Sequence, residues 1–294
     1  MAKAGNRVPV SKTYKLFIGG KFPRTESGRY YQASNAKGDF VGNYCRASRK
    51  DFRNSMVAAR GATKGWAARS AFNRGQILYR MAEMLESRGA GMKEALVNLA
   101  GYSAKDAQAE LDASIDRLVW YAGWSDKFAQ VYGSTNPVAT SHFNFTTPDP
   151  VGVVTCFVSK TSPLLGLVSA MAPIIVSGNT AILIVENDAP TISIELAEVL
   201  ATSDLPGGVV NILTGTRDEL VSHVAGHMDV DAIASFGASD EERRDIQVRA
   251  SESVKRVKFF ADPDASAWTD DAHQSPYWIL PFVEFKTAWH PIGV

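Results

Sequence analysis

The sequence has few features of a secreted, nucleic-acid-binding or membrane protein. Its 294 residues include two cysteines, Cys45 and Cys156, which are too few for a disulfide framework and are typical of a reducing compartment. Lysine and arginine balance aspartate and glutamate at 31 each, so the net charge predicts neither a nucleic acid nor an anionic membrane as partner. Residues 1–7 lack the apolar core of a secretory signal. We therefore expect a cytoplasmic protein.

Residues 164–185 carry no charge, and an uncharged run of this length is long enough to span a membrane. Pro173 and the turn at Gly178 and Asn179 interrupt the run, because proline and a Gly-Asn pair mark breaks and turns. The pattern predicts a buried helix, a turn and a strand rather than a membrane span.

Motifs of a self-contained active site are also absent. The sequence has no Gly-x-Gly-x-x-Gly, no P-loop and no Gly-x-Ser-x-Gly. His223 and His227 have the i, i+4 spacing of metal ligands on a helix, but Gly226 weakens that helix and no acidic or cysteine cluster completes a site. Cys156 lies inside an apolar run and Cys45 near a predicted strand, and both are interpreted as buried structural thiols in preference to nucleophiles. No metal site is predicted.

What the sequence does contain is an alternation of apolar strands and helices. The strands are predicted at residues 150–158, 180–185, 208–213, 230–235 and 255–260. The first three are nearly continuous apolar runs, as expected for strands that are covered on both faces. Helical spacing at residues 191–200 separates the second from the third, which predicts right-handed crossovers in a doubly wound, Rossmann-like parallel sheet. Ligands of such sheets bind at the carboxyl ends of the strands.

The N-terminal part is predicted to consist of a disordered lead at residues 1–13, a hairpin that turns at Gly19 and Gly20, and helices at residues 51–60, 72–88 and about 103–127. The apolar face of the last helix is predicted to comprise Leu111, Ile115, Leu118, Val119 and Tyr121.

Two extended segments and a polar stretch complete the chain. Residues 128–147 are rich in threonine, serine, asparagine and valine, and residues 279–290 alternate as a strand does. Residues 266–278 between the sheet region and the final strand are interpreted as a linker. Asp262 and Asp264, which lie just before this stretch, are expected to be solvated.

Several short sequence motifs resemble those of the aldehyde dehydrogenase superfamily, and they occur in the same order and at similar spacing. They are Leu16-Phe-Ile-Gly-Gly-Lys21, Pro150-Val-Gly-Val-Val154, Gly178-Asn-Thr180 and Leu205-Pro-Gly-Gly-Val-Val-Asn-Ile-Leu-Thr-Gly215. The resemblance implies a Rossmann-like cofactor-binding domain over residues 14–127 and 148–265. It also implies a protruding antiparallel oligomerisation arm over residues 128–147 and 279–290. The family's catalytic domain would fall at residues 266–278, where it is missing.

The resemblance implies a chemistry for which this sequence lacks the groups. In the family, a cysteine thiolate attacks the aldehyde, an asparagine in Pro-Trp-Asn donates to the oxyanion, and a glutamate in Glu-Leu-Gly-Gly activates water. Here Thr161 stands at the asparagine position, Phe260 stands at the glutamate position, and the nucleophile falls in the missing domain. We expect no activity from the chain alone.

The positions that the resemblance assigns to the cofactor are altered as well. The residues expected there are Lys160, Thr161, Asn187, Gly215 and Gly237. Ile184 stands where the family has a ribose-binding lysine. Asp240 and Glu241 would bring negative charge towards a pyrophosphate, but acidic residues also suit a helix N-terminus that binds no ligand. We expect no bound cofactor, or NAD or NADP held only weakly.

The sequence keeps the oligomerisation arm but lacks the catalytic domain that such an arm binds, and this combination predicts a partner protein. In the family the arm extends the sheet of a neighbour's catalytic domain, and an exposed strand edge needs pairing. The hypothesis is a catalytically inactive subunit that docks by β-augmentation onto a full-length aldehyde dehydrogenase, as its structural or regulatory partner in a hetero-oligomer. Two alternatives stay open: an NAD(P)-binding regulator, and an auxiliary subunit that completes an aldehyde-oxidising enzyme.

Overall fold

The computed structural model describes residues 12–35, 37–186 and 189–293. In chain order its strands are β1 (Thr13–Tyr14), β2 (Tyr30–Ser34), β3 (Phe40–Cys45), β4 (Ser134–Asn136), β5 (His142–Pro150), β6 (Val153–Phe157), β7 (Thr180–Val185), β8 (Val210–Thr214), β9 (Ala232–Phe236), β10 (Arg256–Phe260) and β11 (Val283–Pro291). Its helices are α1 (Arg49–Ala67), α2 (Ala71–Ser87), α3 (Gly89–Asn98), α4 (Ala104–Trp124), α5 (Phe128–Tyr132), α6 (Leu165–Val176), α7 (Pro190–Leu200), α8 (Arg217–Gly226) and α9 (Asp240–Ser251). Short 3-10 turns follow β10 at Ala265–Thr269, Asp271–His273, Pro276–Trp278 and Leu280–Phe282.

The central sheet is parallel throughout, and its order within the described residues is β10-β9-β6-β7-β8. The chain runs from β6 outward to β8 and then returns to β9 and β10 on the other side of β6. The topological switch point therefore lies between β6 and β9, where doubly wound sheets bind their ligands. The predicted α/β class with a doubly wound sheet is confirmed, and the strand ends differ from the predicted ones by three residues or fewer.

Helices cover both faces of the central sheet because its strands carry apolar side chains in both directions. Alternate residues of β6 point to opposite faces of the sheet. On one face Val154 and Cys156 pack in the cluster that contains α2, α4, α6 and α7. On the other face Val153 and Phe157 pack in the cluster that contains α1, α8 and α9. The uncharged run forms α6 and β7, both fully buried, with Pro173 inside α6. Among the described residues, no helix is both long and apolar enough to cross a membrane.

The N-terminal part differs from its prediction in three places. Thr13, assigned to the disordered lead, pairs with Asn43 in β1, and residues 1–11 of that lead lie outside the described residues. Helix α1 begins two residues before the predicted 51–60, where Ser48 and Asp51 form a capping box, and it continues to Ala67. On α4, Val119 is exposed and Arg117 is buried, so the inward face is rotated relative to the predicted apolar one.

A second sheet, the arm sheet, is antiparallel and has the order β11-β5-β4 in the described residues. The segment predicted as extended at residues 128–147 begins instead with the short helix α5, whose Phe128 is buried in the core. Strand β11 contributes Val283 to the core, and its remaining residues are exposed. The arm sheet thus has one end anchored on the body and one long exposed edge strand.

Candidate functional site

The crevice at the switch point is formed by the segments that follow the carboxyl ends of β6 and β9. Residues 158–161 follow β6, Gly237 follows β9, and Asp262 follows β10 at the sheet edge. Three of the residues predicted for this site, Lys160, Thr161 and Gly237, therefore meet at the expected edge of the sheet. Phe260, the last residue of β10, adjoins them.

The Asp262 carboxylate bridges the strands at this crevice. It accepts hydrogen bonds from the Ser159 hydroxyl at 2.5 Å and the Lys160 main-chain N–H at 3.2 Å. Gly237 has φ +60°, and a Cβ atom on it would lie 3.0 Å from the Asp262 Cβ, so the aspartate packs against a position that needs glycine. The expectation of a solvated Asp262 is corrected in part, because the carboxylate is half-buried and accepts its hydrogen bonds from the loop that follows β6.

The segment interpreted as a linker at residues 266–278 is folded onto this crevice. Trp268 is fully buried, and its indole N–H donates to the Thr161 hydroxyl at 3.0 Å, while Thr161 in turn donates to the Pro263 carbonyl at 2.6 Å. The buried Arg117 guanidinium donates to the carbonyls of Trp268 at 2.9 Å and His273 at 2.7 Å. The sequence pattern does not indicate this packing, because the tryptophans are widely spaced in a polar stretch.

Four aromatic rings close the sheet end around Phe260. Phe260 stacks on Phe236 at a centroid distance of 4.7 Å and on Trp278 at 4.8 Å, and Phe236 contacts Trp268 at 5.6 Å. We call Phe236, Phe260, Trp268 and Trp278 the aromatic seal. The position that the family resemblance gives to a water-activating glutamate is thus part of a hydrophobic cluster, where a phenyl ring can neither accept nor release a proton.

On the opposite face of the sheet, Arg217 fills the space between β6 and β9. Its guanidinium donates to the Phe236 carbonyl at 2.8 Å and to Glu242 at 2.5 Å, and it lies 5.1 Å from the centre of the Phe157 ring. The side chain also donates to the hydroxyl of Ser235. Sequence reasoning missed Arg217, since an arginine in the first turn of a helix gives no local sign of burial.

The remaining predicted cofactor residues are placed less centrally. The Lys160 ammonium forms an exposed ion pair with Glu186 at 2.7 Å, beside a cavity of about 590 Å³ that also borders Thr161. Gly215 follows β8, two strands away from β6, and a Cβ atom on it would lie 3.3 Å from the Ala47 nitrogen. Asn187 lies outside the described residues.

Both cysteines are buried. Cys156 is fully buried in β6, and burial raises its thiol pKa to about 12. Cys45 is buried at the end of β3, where its sulfur accepts the Thr25 N–H at 3.4 Å. Burial of this kind is typical of structural thiols.

His223 and His227 pack against each other and against the ring of Phe52, with centroids 5.5–5.7 Å apart. Partial burial lowers the pKa of both imidazoles. In the described part of the chain, no group of three or more histidine, cysteine, aspartate or glutamate side chains could hold a metal ion.

The crevice at the switch point is bordered by several acidic side chains. A pyrophosphate at the switch point would meet the Asp262 carboxylate on one face and the Arg217–Glu242 pair on the other. The first turn of α9 adds Asp240 and Glu241, whose charges oppose a phosphate at that helix N-terminus. The carboxylates of Asp240, Glu241 and Asp262 are thus unfavourable neighbours for a pyrophosphate at the switch point.

Comparisons with known proteins place the chain in a family. The sequence profile described as "Aldehyde dehydrogenase family" matches residues 22–260. The chain is 28% identical over 279 residues to aldehyde dehydrogenase, cytosolic 1 of Elephantulus edwardii, covering 90% of this chain and 55% of that protein. It is 28% identical over 256 residues to an aldehyde dehydrogenase of Aspergillus niger, covering 86% and 50%.

A solved structure gives the same result. The NAD⁺ complex of aldehyde dehydrogenase from Bacillus cereus superposes with a TM-score of 0.79 at 25% identity, covering 85% of this chain and 51% of that one. The chain spans about half the length of the curated relatives that it matches. With the family profile matched over most of its length, the chain belongs to the aldehyde dehydrogenase family.

Proposed function

We propose that this chain is a non-catalytic aldehyde-dehydrogenase-like subunit that acts as a structural or regulatory partner of a full-length NAD(P)-dependent aldehyde dehydrogenase. The observation that carries the proposal is the closed sheet end, where Asp262, Trp268 and Phe260 occupy the place at which doubly wound sheets bind ligands. Side chains that hydrogen-bond and stack with one another occupy the switch point there, and the cavity of about 590 Å³ beside Lys160 borders this cluster at Thr161.

The arm sheet supports the partner role. Strand β11 is nine residues long and exposed beyond Val283, and Phe285 and Trp289 are 50% and 59% exposed. Long exposed edge strands with apolar side chains bind other strands by main-chain hydrogen bonding, with the side chains providing selectivity. A catalytic domain of a full-length relative is the occupant that this proposal assigns to the edge.

The test is co-expression of the tagged chain with full-length aldehyde dehydrogenases from its native host, followed by native mass measurement. A defined hetero-oligomer is expected, and Thr287→Pro, which removes a main-chain donor from the middle of β11, should abolish it. Thr135→Pro on β4, at the opposite edge of the arm sheet, is the matched control and should leave the complex intact. Failure of every enzyme to bind would refute the partner role.

Cofactor binding and activity are tested separately. Titration calorimetry with NAD⁺ and NADP⁺ at millimolar concentration should show no heat beyond dilution. Saturable binding would instead favour an NAD(P)-binding regulator, for which the cavity of about 590 Å³ beside Lys160 and Thr161 is the supporting observation. If the partner's aldehyde oxidation required this chain, the auxiliary-subunit alternative would replace the proposal.

A further inference from the structure

The outer edge of β11 has a defined set of hydrogen-bonding groups. Two hydrogen bonds show which main-chain groups are directed toward β5. The Val151 N–H donates to the Phe282 carbonyl at 3.3 Å, and the Ile292 N–H donates to the Ser141 carbonyl at 3.0 Å. Because residues alternate in an antiparallel ladder, even-numbered residues of β11 direct their main-chain groups to β5. Phe285, Thr287 and Trp289 therefore direct theirs to the outer edge, which no strand in the described residues pairs.

We propose that a second copy of this chain pairs with this edge, antiparallel and across a two-fold axis at Thr287. Thr287 is the central residue of the nine-residue β11, so this register pairs all of its exposed residues from Glu284 to His290. The end pair adds no full ladder pair, because Val283 is buried and Pro291 has no N–H. Thr287 then faces Thr287 of the second copy, and Phe285 faces Trp289 of the second copy. All three outward-facing residues exchange main-chain hydrogen bonds, two for each facing pair.

The side chains are complementary in the same register. Phe285 and Trp289 form an aromatic cross-strand pair on one face of the arm sheet, and both are half-exposed in the single chain. On the other face, Glu284 lies opposite His290 of the second copy, so an acidic group meets an imidazole. Lys286 lies opposite Ala288 of the second copy and keeps its ion pair with Asp149 at 2.7 Å, while Glu284 lies 3.8 Å from Arg256.

Other two-fold registers are less favourable. Axes at Lys286 or Ala288 would bring together residues whose main-chain groups are already directed to β5. Axes at Phe285 or Trp289 keep the correct alternation but pair only about half of the strand. The nine-residue register is thus selected by the strand's own length and by its hydrogen-bond alternation.

Self-pairing is independent of the proposed function, although both use one edge. Each β11 edge accepts a single neighbouring strand, so a second copy and an enzyme partner compete for it. The two-fold dimer would protect the edge from unspecific pairing until a partner arrives.

The test is sedimentation equilibrium of the isolated 31.9 kDa chain, at concentrations up to roughly 50 µM, a range suited to small interfaces. A dimer is expected, and Thr287→Pro should make it monomeric. His290→Glu places two acidic groups opposite each other twice per dimer and should weaken the dimer about tenfold. The exchange of both residues, Glu284→His with His290→Glu, restores the pairing and should recover affinity to within about threefold.

Thr135→Glu adds the same charge to an exposed position of β4 and should leave the dimer unchanged. A monomeric wild-type chain would overturn the inference, as would a dimer that is unaffected by His290→Glu. A monomer that still binds a full-length enzyme would overturn self-pairing and leave the proposed function standing. A dimer that binds no full-length enzyme would overturn the proposed function and leave self-pairing standing.

Discussion

Replacing Trp268 with alanine is the sharpest test of whether residues 262–278 are part of the fold. The indole is fully buried, contacts Phe236 and Trp278, and donates a hydrogen bond to Thr161. Removal of a buried tryptophan side chain costs about 3–5 kcal/mol. Because Arg117 ties the Trp268 and His273 carbonyls to α4, we expect this loss to appear in global unfolding.

The assay is urea unfolding followed by far-UV circular dichroism, since removal of a tryptophan alters fluorescence directly. Trp268→Phe keeps a ring but loses the indole donor, and should cost about 1–2 kcal/mol. Ser266→Ala, at an exposed position in the same segment, is the matched control and should lie within about 0.5 kcal/mol of wild type. A value for Trp268→Ala within the same limits would mean that the segment is a linker and would refute the closed crevice.

The remaining predictions concern buried polar and titratable groups. Arg117→Leu should cost about 3 kcal/mol because it leaves buried carbonyls without donors, whereas Arg80→Leu, which breaks an exposed ion pair, should cost less than about 1 kcal/mol in the same assay. Cys156, whose thiol pKa is raised to about 12 by burial, should react with a thiol reagent at pH 8 at least ~100-fold more slowly in the folded chain than in urea. Burial lowers the pKa of His223 and His227, so protonation favours the unfolded state and stability is lost as pH falls through the interval between the folded and unfolded pKa values. Replacing both with glutamine should reduce the loss of unfolding free energy between pH 7 and pH 5, and an unchanged pH dependence would contradict this assignment.

The parallel sheet could be predicted from sequence because its signal is local. Strands such as β7 and β8 are continuous apolar runs bounded by turns, and Gly178 marks the turn between α6 and β7. The switch point follows only from the strand order in the structure. The family resemblance assigned Lys160, Thr161 and Gly237 to the cofactor site, and the structure places them at the carboxyl edge of the sheet.

The closure of the crevice could not be predicted, because the hydrogen bonds that bridge its segments join distant parts of the chain. Asp262 lies more than a hundred residues from Ser159, and Arg117 lies more than a hundred and fifty from Trp268. On α4, Arg117 shares a helical face with Ser114 and Tyr121, so the buried face is partly polar. An analysis that looks for apolar periodicity selects Tyr121 but omits Ser114 and Arg117 and adds the exposed Val119.

The aromatic seal has a consequence for other relatives that span about half the length of the full enzymes. Without a covering segment, the apolar side chains at this end of the sheet would be in contact with water and would form an adhesive surface. Here a short stretch with tryptophans at 268 and 278 covers that surface within twenty residues of the last parallel strand. Any relative reduced to the same length should carry two or more large aromatic residues in the corresponding interval, and a stably folded relative without them would need another chain in their place.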